Sequence, residues 1–345
     1  MNTMFVKSLY TKRSGGTLPQ LVATENENIQ SRFVVQKILE LREEGLPLEE
    51  IAVLFRSSFL SFDLEIELAR ANIPFRKYGG FKFIETSHVK DVVAYLRVLE
   101  NPRDVVSWNR ILLLVEGVGP RTAEKVIDDI QKRRVGLSSN TTEPVTTTTK
   151  FWMDYGHYPD GVRALFDALK EAAPPTLSPA EKVAGLLRYY EPLLRTRYDD
   201  HQKRRKDLEM FQAITERYRE VASLLTDLAL EPPTESVVDV EAPGPEREFL
   251  TLSTIHSAKG LEWGAVFIIT ALDGRFPALR SVGSEEELEE ERRLLYVAIT
   301  RARDHLFITY PMNVYDRETG VILTKPSRFL QGIGEHLLEP WVVES

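Results

Sequence analysis

What most limits the fold of this chain is where its β-type runs fall. Short apolar, β-branched segments lie toward both ends, and the long stretch between them carries almost none. Near the amino end, "PQLVAT" (19–24) and "EIAVLFRS" (50–57) flank "NIQSRFVVQKILELREEG" (28–45), whose apolar residues recur at helical spacing until Gly45. Strand, helix and strand in that order make a βαβ unit. A helix over about 61–71, a short strand in "IPFRKYGG" (73–80) and a helix over 87–100 follow. Toward the other end, "FLTLSTI" (249–255), "GAVFIIT" (264–270) and "HLFITYP" (305–311) read as strands, whereas residues 101 to about 230 read as helices. The arrangement that joins these pieces is one α/β domain assembled from both chain ends, 1–100 and 246–345, with a mainly helical domain, 101–245, inserted into it. "GLSSNTTEPVTTTT" (136–149) is too polar to pack and reads as a loop, and "EPPTESVVDVEAPGPERE" (231–248) as a Pro-rich acidic connector.

Composition removes several function classes. The 345 residues include no cysteine, and the six histidines show no metal-ligand spacing, so disulfide frameworks and thiolate sites are excluded and no metal site is expected. No apolar run approaches the roughly 18–20 residues of a membrane span, and no signal peptide is evident, so the expected location is cytoplasmic with no membrane partner. A net charge of -8 argues against wholesale coating of nucleic acid and leaves room for a focused basic track.

Four segments carry possible chemistry. In "LSTIHSAKGLEWGAVFII" (252–269) a strand ends near Ile255, a polar turn presents His256, Ser257 and Lys259, and Gly260 permits a tight bend before the next strand. Such a turn is expected beyond the carboxyl ends of the strands, where hydroxyls, an imidazole and an ammonium suit a phosphodiester backbone; each residue taken singly is equally a solvated loop residue. "EEERRLLYVAITRAR" (289–303) reads as one helix with a solvated, charge-paired start and a buried middle. It ends in Arg301 and Arg303, as surface charge or as a phosphate ligand. "VEGVGPRTAEKVI" (115–127) fits a helix-hairpin-helix. There Gly117 and Gly119 expose backbone amides, Pro120 suits a first helical turn, and Arg121 and Thr122 face a DNA phosphate, the alternative being a plain packing hairpin. The basic run "RTRYDDHQKRRKDLEMF" (195–211) is mixed with acids and reads as a solvated helix face, and "DYGHYPDG" (154–161) as a loop.

Taken together, "IAVLFRSS" (51–58), "PFRKYGGFKFIETSHVKDVVAYL" (74–96), "TIHSAKGLEW", "DGRFP" (273–277), "EEERRLLYVAITRAR" and "PSRFL" (326–330) resemble, in order and spacing, the second RecA-like domain of superfamily 1 DNA helicases of the UvrD/Rep/PcrA type. The resemblance covers essentially the whole chain. It implies a RecA-like parallel sheet domain interrupted by a helical one, forming the C-terminal half of an ATP-dependent 3′ to 5′ DNA helicase or translocase. By the same resemblance Arg301 and Arg56 reach the γ-phosphate, Glu262 holds the nucleotide ribose, and Thr254, His256 and Lys259 grip single-stranded DNA. The Gly117–Gly119 hairpin, with Arg121 and Thr122, touches the duplex at a single-strand/duplex junction.

No G-x-x-x-x-G-K-[ST] occurs in the sequence. ATP with Mg2+ is therefore expected only when a missing N-terminal RecA-like domain completes the site, and this chain alone is expected to bind none tightly and to be inactive. Asp273, at the end of "VFIITALD", is not expected to hold magnesium without that loop. The sequence also departs from the family. "FIETSHVKD" puts Thr86 and His88 where relatives carry an arginine and a glutamate, which puts one DNA contact in doubt, and "SSFLSF" (57–62) has Phe59, Leu60 and Phe62 in place of polar residues. The other reading is a non-enzymatic DNA-binding or regulatory module; Arg56, Glu262 and Arg301 together favour the motor.

Overall fold

The computed structural model describes residues 17–79, 83–135, 155–229, 248–316, 319–334 and 336–343. The stretches 136–149 and 231–247, expected as loop and connector, lie outside them. The chain forms two compact units, one of residues 1–56 with 243–345 and one of residues 57–242.

In the first unit the strands are β1 (Gln20–Thr24), β2 (Ile51–Phe55), β4 (Leu250–Thr254), β5 (Trp263–Ile268), β6 (Ala302–Pro311) and β9 (Glu339–Val343), in the order β4-β2-β5-β6-β1-β9. Every neighbouring pair is parallel. All residues of β2 and β5 are buried, so these central strands, in the same unit as α1 (Glu27–Glu43) and the C-terminal helix over Glu285–Ile299, have no wet face. That is why these strands read as unbroken apolar runs. Asn26 caps α1 by accepting the Ile29 amide at 3.0 Å. Buried Gln30 ties the helix to the sheet by accepting the Thr270 amide and the Thr309 hydroxyl, each at 2.9 Å. Sequence reasoning missed the edge strand β9 and a two-stranded hairpin, β7 (Val314–Asp316) with β8 (Val321–Leu323).

The second unit holds the short β3 (Phe75–Tyr78) and the helices α2 (Phe62–Arg70), α3 (Ser87–Glu100), α4 (Val105–Leu112), α5 (Pro120–Val135), α6 (Asp160–Ala172), α7 (Pro179–Arg197), α8 (His201–Thr215) and α9 (Val221–Ala229). Its core is continuous from Phe62 to Leu228. The compact units therefore meet at Arg56–Ser57, not near residue 100 as the sequence suggested. The physical reason is that α2 and α3 bury Phe62, Ile66, Val92 and Tyr95 among the helices.

The departures in "SSFLSF" have a packing explanation. Phe62 lies 4.4 Å from Phe83, which lies 5.6 Å from Phe211, so the ring that replaces a polar residue is core. Beneath it sits an ion pair, Lys77 Nζ to Glu65 Oε1 at 2.6 Å, with side chains only 2% and 7% exposed. Glu65 also accepts from the Ser61 hydroxyl and the Phe83 amide. Lys182, likewise buried, donates to the carbonyls of Ala172, Ala173 and Pro174 and closes the C-terminus of α6. The basic run is split between α7 and α8, and its Arg195 and Arg205 pair with Glu191 and Glu209 one turn away, as a solvated face does. The segment 155–159 is a loop, as expected.

Candidate functional site

The helix over Glu285–Ile299, here α10, opens on Ser284, whose hydroxyl accepts the Glu287 amide at 3.3 Å, and carries three glutamates in its first turn, where helix N-termini favour anions. It does not run on through Arg303, as the sequence reading had it. Thr300 closes it, the Arg301 amide drops back to Ala298 O at 3.1 Å, and Ala302 already begins β6. Arg301 thus lies in the two-residue link, Thr300–Arg301, between helix and strand.

All its guanidinium contacts among the described residues are neutral. Nε donates to Val297 O at 3.0 Å, Nη1 to Leu261 O at 2.8 Å and Nη2 to the Thr300 hydroxyl oxygen at 3.1 Å. Thr300 in turn donates to Val297 O at 2.9 Å, so it is pinned and aims its neighbour. The Arg301 carbonyl accepts the Trp263 amide at 2.9 Å, which brings Arg301 beside Glu262 at the amino ends of β5 and β6. Glu262 is exposed. Arg303 points elsewhere. It pairs with Glu50, whose Oε2 also accepts the Gly264 amide at 3.1 Å, so these groups tether the strand ends, and Arg303 holds the Glu50 carboxyl below its usual range.

Arg56 follows β2 at the opposite, carboxyl edge of the sheet. Its Nε donates to both oxygens of Glu291, at 2.9 and 3.0 Å, and its Nη2 to Oε1 at 2.6 Å. Glu291 is 3% exposed, on the same face of α10 as Leu294, Leu295 and Ala298. Sequence reasoning placed it in a solvated start. Arg292 and Arg293 do pair in solvent with Glu289 and Glu290, but Glu291 turns inward. Extending the i, i+3, i+4, i+7 stripe back from Leu294, Leu295 and Ala298 lands on it, and that was the signal available.

The turn 255–262 links the two edges. It leaves β4 at the carboxyl edge, where the Ile255 amide donates to Phe55 O at 3.1 Å, and enters β5 at the amino edge. The expectation that the whole turn sits beyond the carboxyl ends thus holds for His256 and Ser257 and fails for Glu262. His256, Ser257, Lys259 and Gly260 are exposed, and Gly260 takes a φ of +90° that suits glycine. Thr254 is 9% exposed and donates to the Ser257 hydroxyl at 3.0 Å, so it shapes the turn. Partial desolvation, then the nearby Arg56 charge, lowers the His256 pKa. Asp273 is held by Arg328 through two bonds of 2.8 and 2.9 Å. Among the described residues no group of three or more His, Asp or Glu side chains is placed to hold a metal, and no helix is long and apolar enough to cross a membrane.

In the helical unit, α4 and α5 are joined by a tight turn. Gly117 has φ +76°, with nothing near the position a Cβ would take, while Val118 and Ala123 are buried and plug the hairpin. Gly161 at the start of α6 lies so close that a Cβ there would come within 2.6 Å of Val115, so only a glycine seats α6 against the turn. Gly119, Pro120 and Arg121 are left exposed, Thr122 half-buried, at the first turn of α5, where amides lack carbonyl partners one turn back. His88 is buried, its Nε2 3.0 Å from Asp207 and its Nδ1 3.1 Å from Arg204 Nη1, so it is a core residue and not a backbone grip.

The model of the UvrD-like helicase C-terminal domain matches residues 3–313. The chain belongs to this family. Among curated proteins it is similar to the ATP-dependent DNA helicase PcrA of Staphylococcus epidermidis, 31% identical over 351 residues, and to that of Staphylococcus aureus, 30% identical over 351 residues. In both comparisons the match covers 96% of this chain and 46% of the relative, so the chain spans about half the length of the curated relatives it matches. The parallel sheet with a helical unit between its two chain segments is the α/β architecture expected of the family's RecA-like domain.

Proposed function

We propose that this chain is the C-terminal half of an ATP-dependent 3′ to 5′ DNA helicase, in which Arg301 and Arg56 address the nucleotide phosphates, Glu262 the ribose, and the 255–260 turn and the α4–α5 hairpin the DNA. The observation that carries it is the state of Arg301, an aimed guanidinium whose described partners are two carbonyls and a hydroxyl. Among the described residues Arg56, Arg303 and Arg328 each pair with a carboxylate, whereas Arg301 does not. Arg301 keeps its full charge for an anion. Both guanidiniums are also tied to α10, Arg56 at Glu291 and Arg301 at Val297, six residues or about 9 Å apart along the axis.

On this reading Arg301 and Arg56 serve the phosphates and Glu262 the ribose, and Asp273, paired with Arg328, is not offered as a metal ligand. When bound, the Mg-nucleotide supplies the phosphoryl group and the metal charge. This chain's arginines place positive donors where negative charge develops. Alone, the chain should show no ATPase. Joined to a domain that cradles the phosphates, it should show DNA-stimulated hydrolysis, and continued silence in that assembly would reject the motor reading.

DNA binding by the chain itself should be weak and salt-dependent. Lys259→Ala should lower single-strand affinity and reduce the log-log salt slope by about 0.7, one phosphate contact, with no change in melting temperature. Gly117→Val forces a β-branched residue to φ +76° where space is open, so it should distort the hairpin alone and weaken junction binding. Fluorescence anisotropy reads both, and affinities unchanged in both variants would remove these DNA assignments.

His256 sits next to Arg56 and faces Glu290 and Glu291. Its folded pKa lies below the ordinary 6.5, so between the two values the unfolded chain binds more protons. Stability should therefore fall as pH drops through about 6.5 toward the folded value, and His256→Asn should reduce that drop. Urea midpoints measured from pH 7.5 to 5.5 on both proteins give the comparison; parallel curves would reject it.

A further inference from the structure

We propose that Glu291 is the positioning residue for Arg56, fixing its guanidinium so that one edge stays open for phosphate. The inference rests on the phosphate role proposed for Arg56 and adds to it a residue to which no role has been given. A carboxylate on the buried face of a helix, in line with Leu294, Leu295 and Ala298, is costly unless it is paired. Glu291 meets that cost through a partner 235 residues away in sequence. The mode of pairing is specific. Nε lies between both carboxylate oxygens and Nη2 donates to one of them, so the side chain is gripped along one edge and cannot swing. Nη1 carries no hydrogen bond among the described residues, so the free edge can donate to an anion without the pair breaking. The same helix ends in Thr300, which aims Arg301. One helix thus sets both guanidiniums, from its buried face and from its end.

The test combines the full-length enzyme with the chain alone. Glu291→Gln keeps the shape but removes the charge and one acceptor. In the full enzyme it should lower kcat about 10- to 100-fold, with KM for ATP changed less than about 3-fold, the mark of a mispositioned group. Placed on an Arg56→Ala background, Glu291→Gln should lower kcat no further, because a residue that acts through Arg56 has nothing left to act on. In the chain alone, without nucleotide, nitrogen-15 NMR should show slow solvent exchange of the Arg56 Nε proton, accelerated at least about 10-fold by Glu291→Gln. Effects of the two substitutions that multiply, or an exchange rate that Glu291→Gln leaves alone, would overturn the proposal. If Arg56→Ala keeps wild-type turnover, the phosphate role of Arg56 fails and the inference with it. If Arg56→Ala loses turnover and Glu291→Gln does not, the inference alone fails.

Discussion

Arg301→Ala in the full-length enzyme should lower kcat by about 10³ to 10⁵, the usual worth of an arginine that stabilises a phosphoryl-transfer transition state, while nucleotide affinity changes far less. The structure adds a reason to expect the fold to survive. The three bonds made by the guanidinium end on Val297 O, Leu261 O and the Thr300 hydroxyl, so its removal strands no buried carboxylate. Arg301→Lys should recover little, because one ammonium cannot bridge Val297 and Leu261 and still present a planar edge. Arg303→Ala releases Glu50 and loosens the start of β5 and β6, so its effect should appear in thermal stability before it appears in turnover. Steady-state ATPase with saturating single-stranded DNA reads all three. An Arg301→Ala enzyme with near wild-type turnover would return this residue to surface charge.

Lys77→Met should cost about 3–5 kcal/mol of stability, because it leaves Glu65 buried without its cation. That is a large part of the roughly 5–15 kcal/mol by which a domain is held together. Arg293→Ala breaks an ion pair of the same formal kind on the exposed side of α10 and should cost no more than about 0.5 kcal/mol. Urea unfolding followed by circular dichroism compares them directly. A Lys77→Met shift as small as that of Arg293→Ala would show that water reaches Glu65.

These two lysine and arginine sites mark what can be read from sequence and what cannot. Periodicity found α3 at its true limits and the central strands within a residue or two, because burial on both faces of β2 and β5 imposes unbroken apolar runs. It did not reveal which core a helix joins. α2 and α3 look like continuations of a βα alternation, yet their apolar faces belong to the helical unit, and no pattern within nine or fourteen residues records that choice. Nor did it find the end of α10, where Ala302 and Arg303 continue a helix-compatible composition and the register of β6 against β5 alone pulls them into a strand. β9 was missed because "EPWVV" is short and begins with an acid and a proline. Of the candidate site, Arg56, Glu262, Arg301, His256 and Lys259 were named through resemblance. The residues that hold them, Glu291 and Thr300, were not, since a glutamate among glutamates and a threonine before an arginine announce nothing until their partners are in place.

The bond from Ile255 to Phe55 has a further meaning. It joins the last peptide before Arg56 to the first peptide after β4, at 3.1 Å, with Phe55 and Thr254 in register. The turn proposed to face DNA and the arginine proposed to face the nucleotide therefore leave the sheet from a single rung. A disturbance arriving at one has no chain of side chains to cross before it arrives at the other. On the proposed roles, DNA contact and phosphate contact are separated by one backbone hydrogen bond.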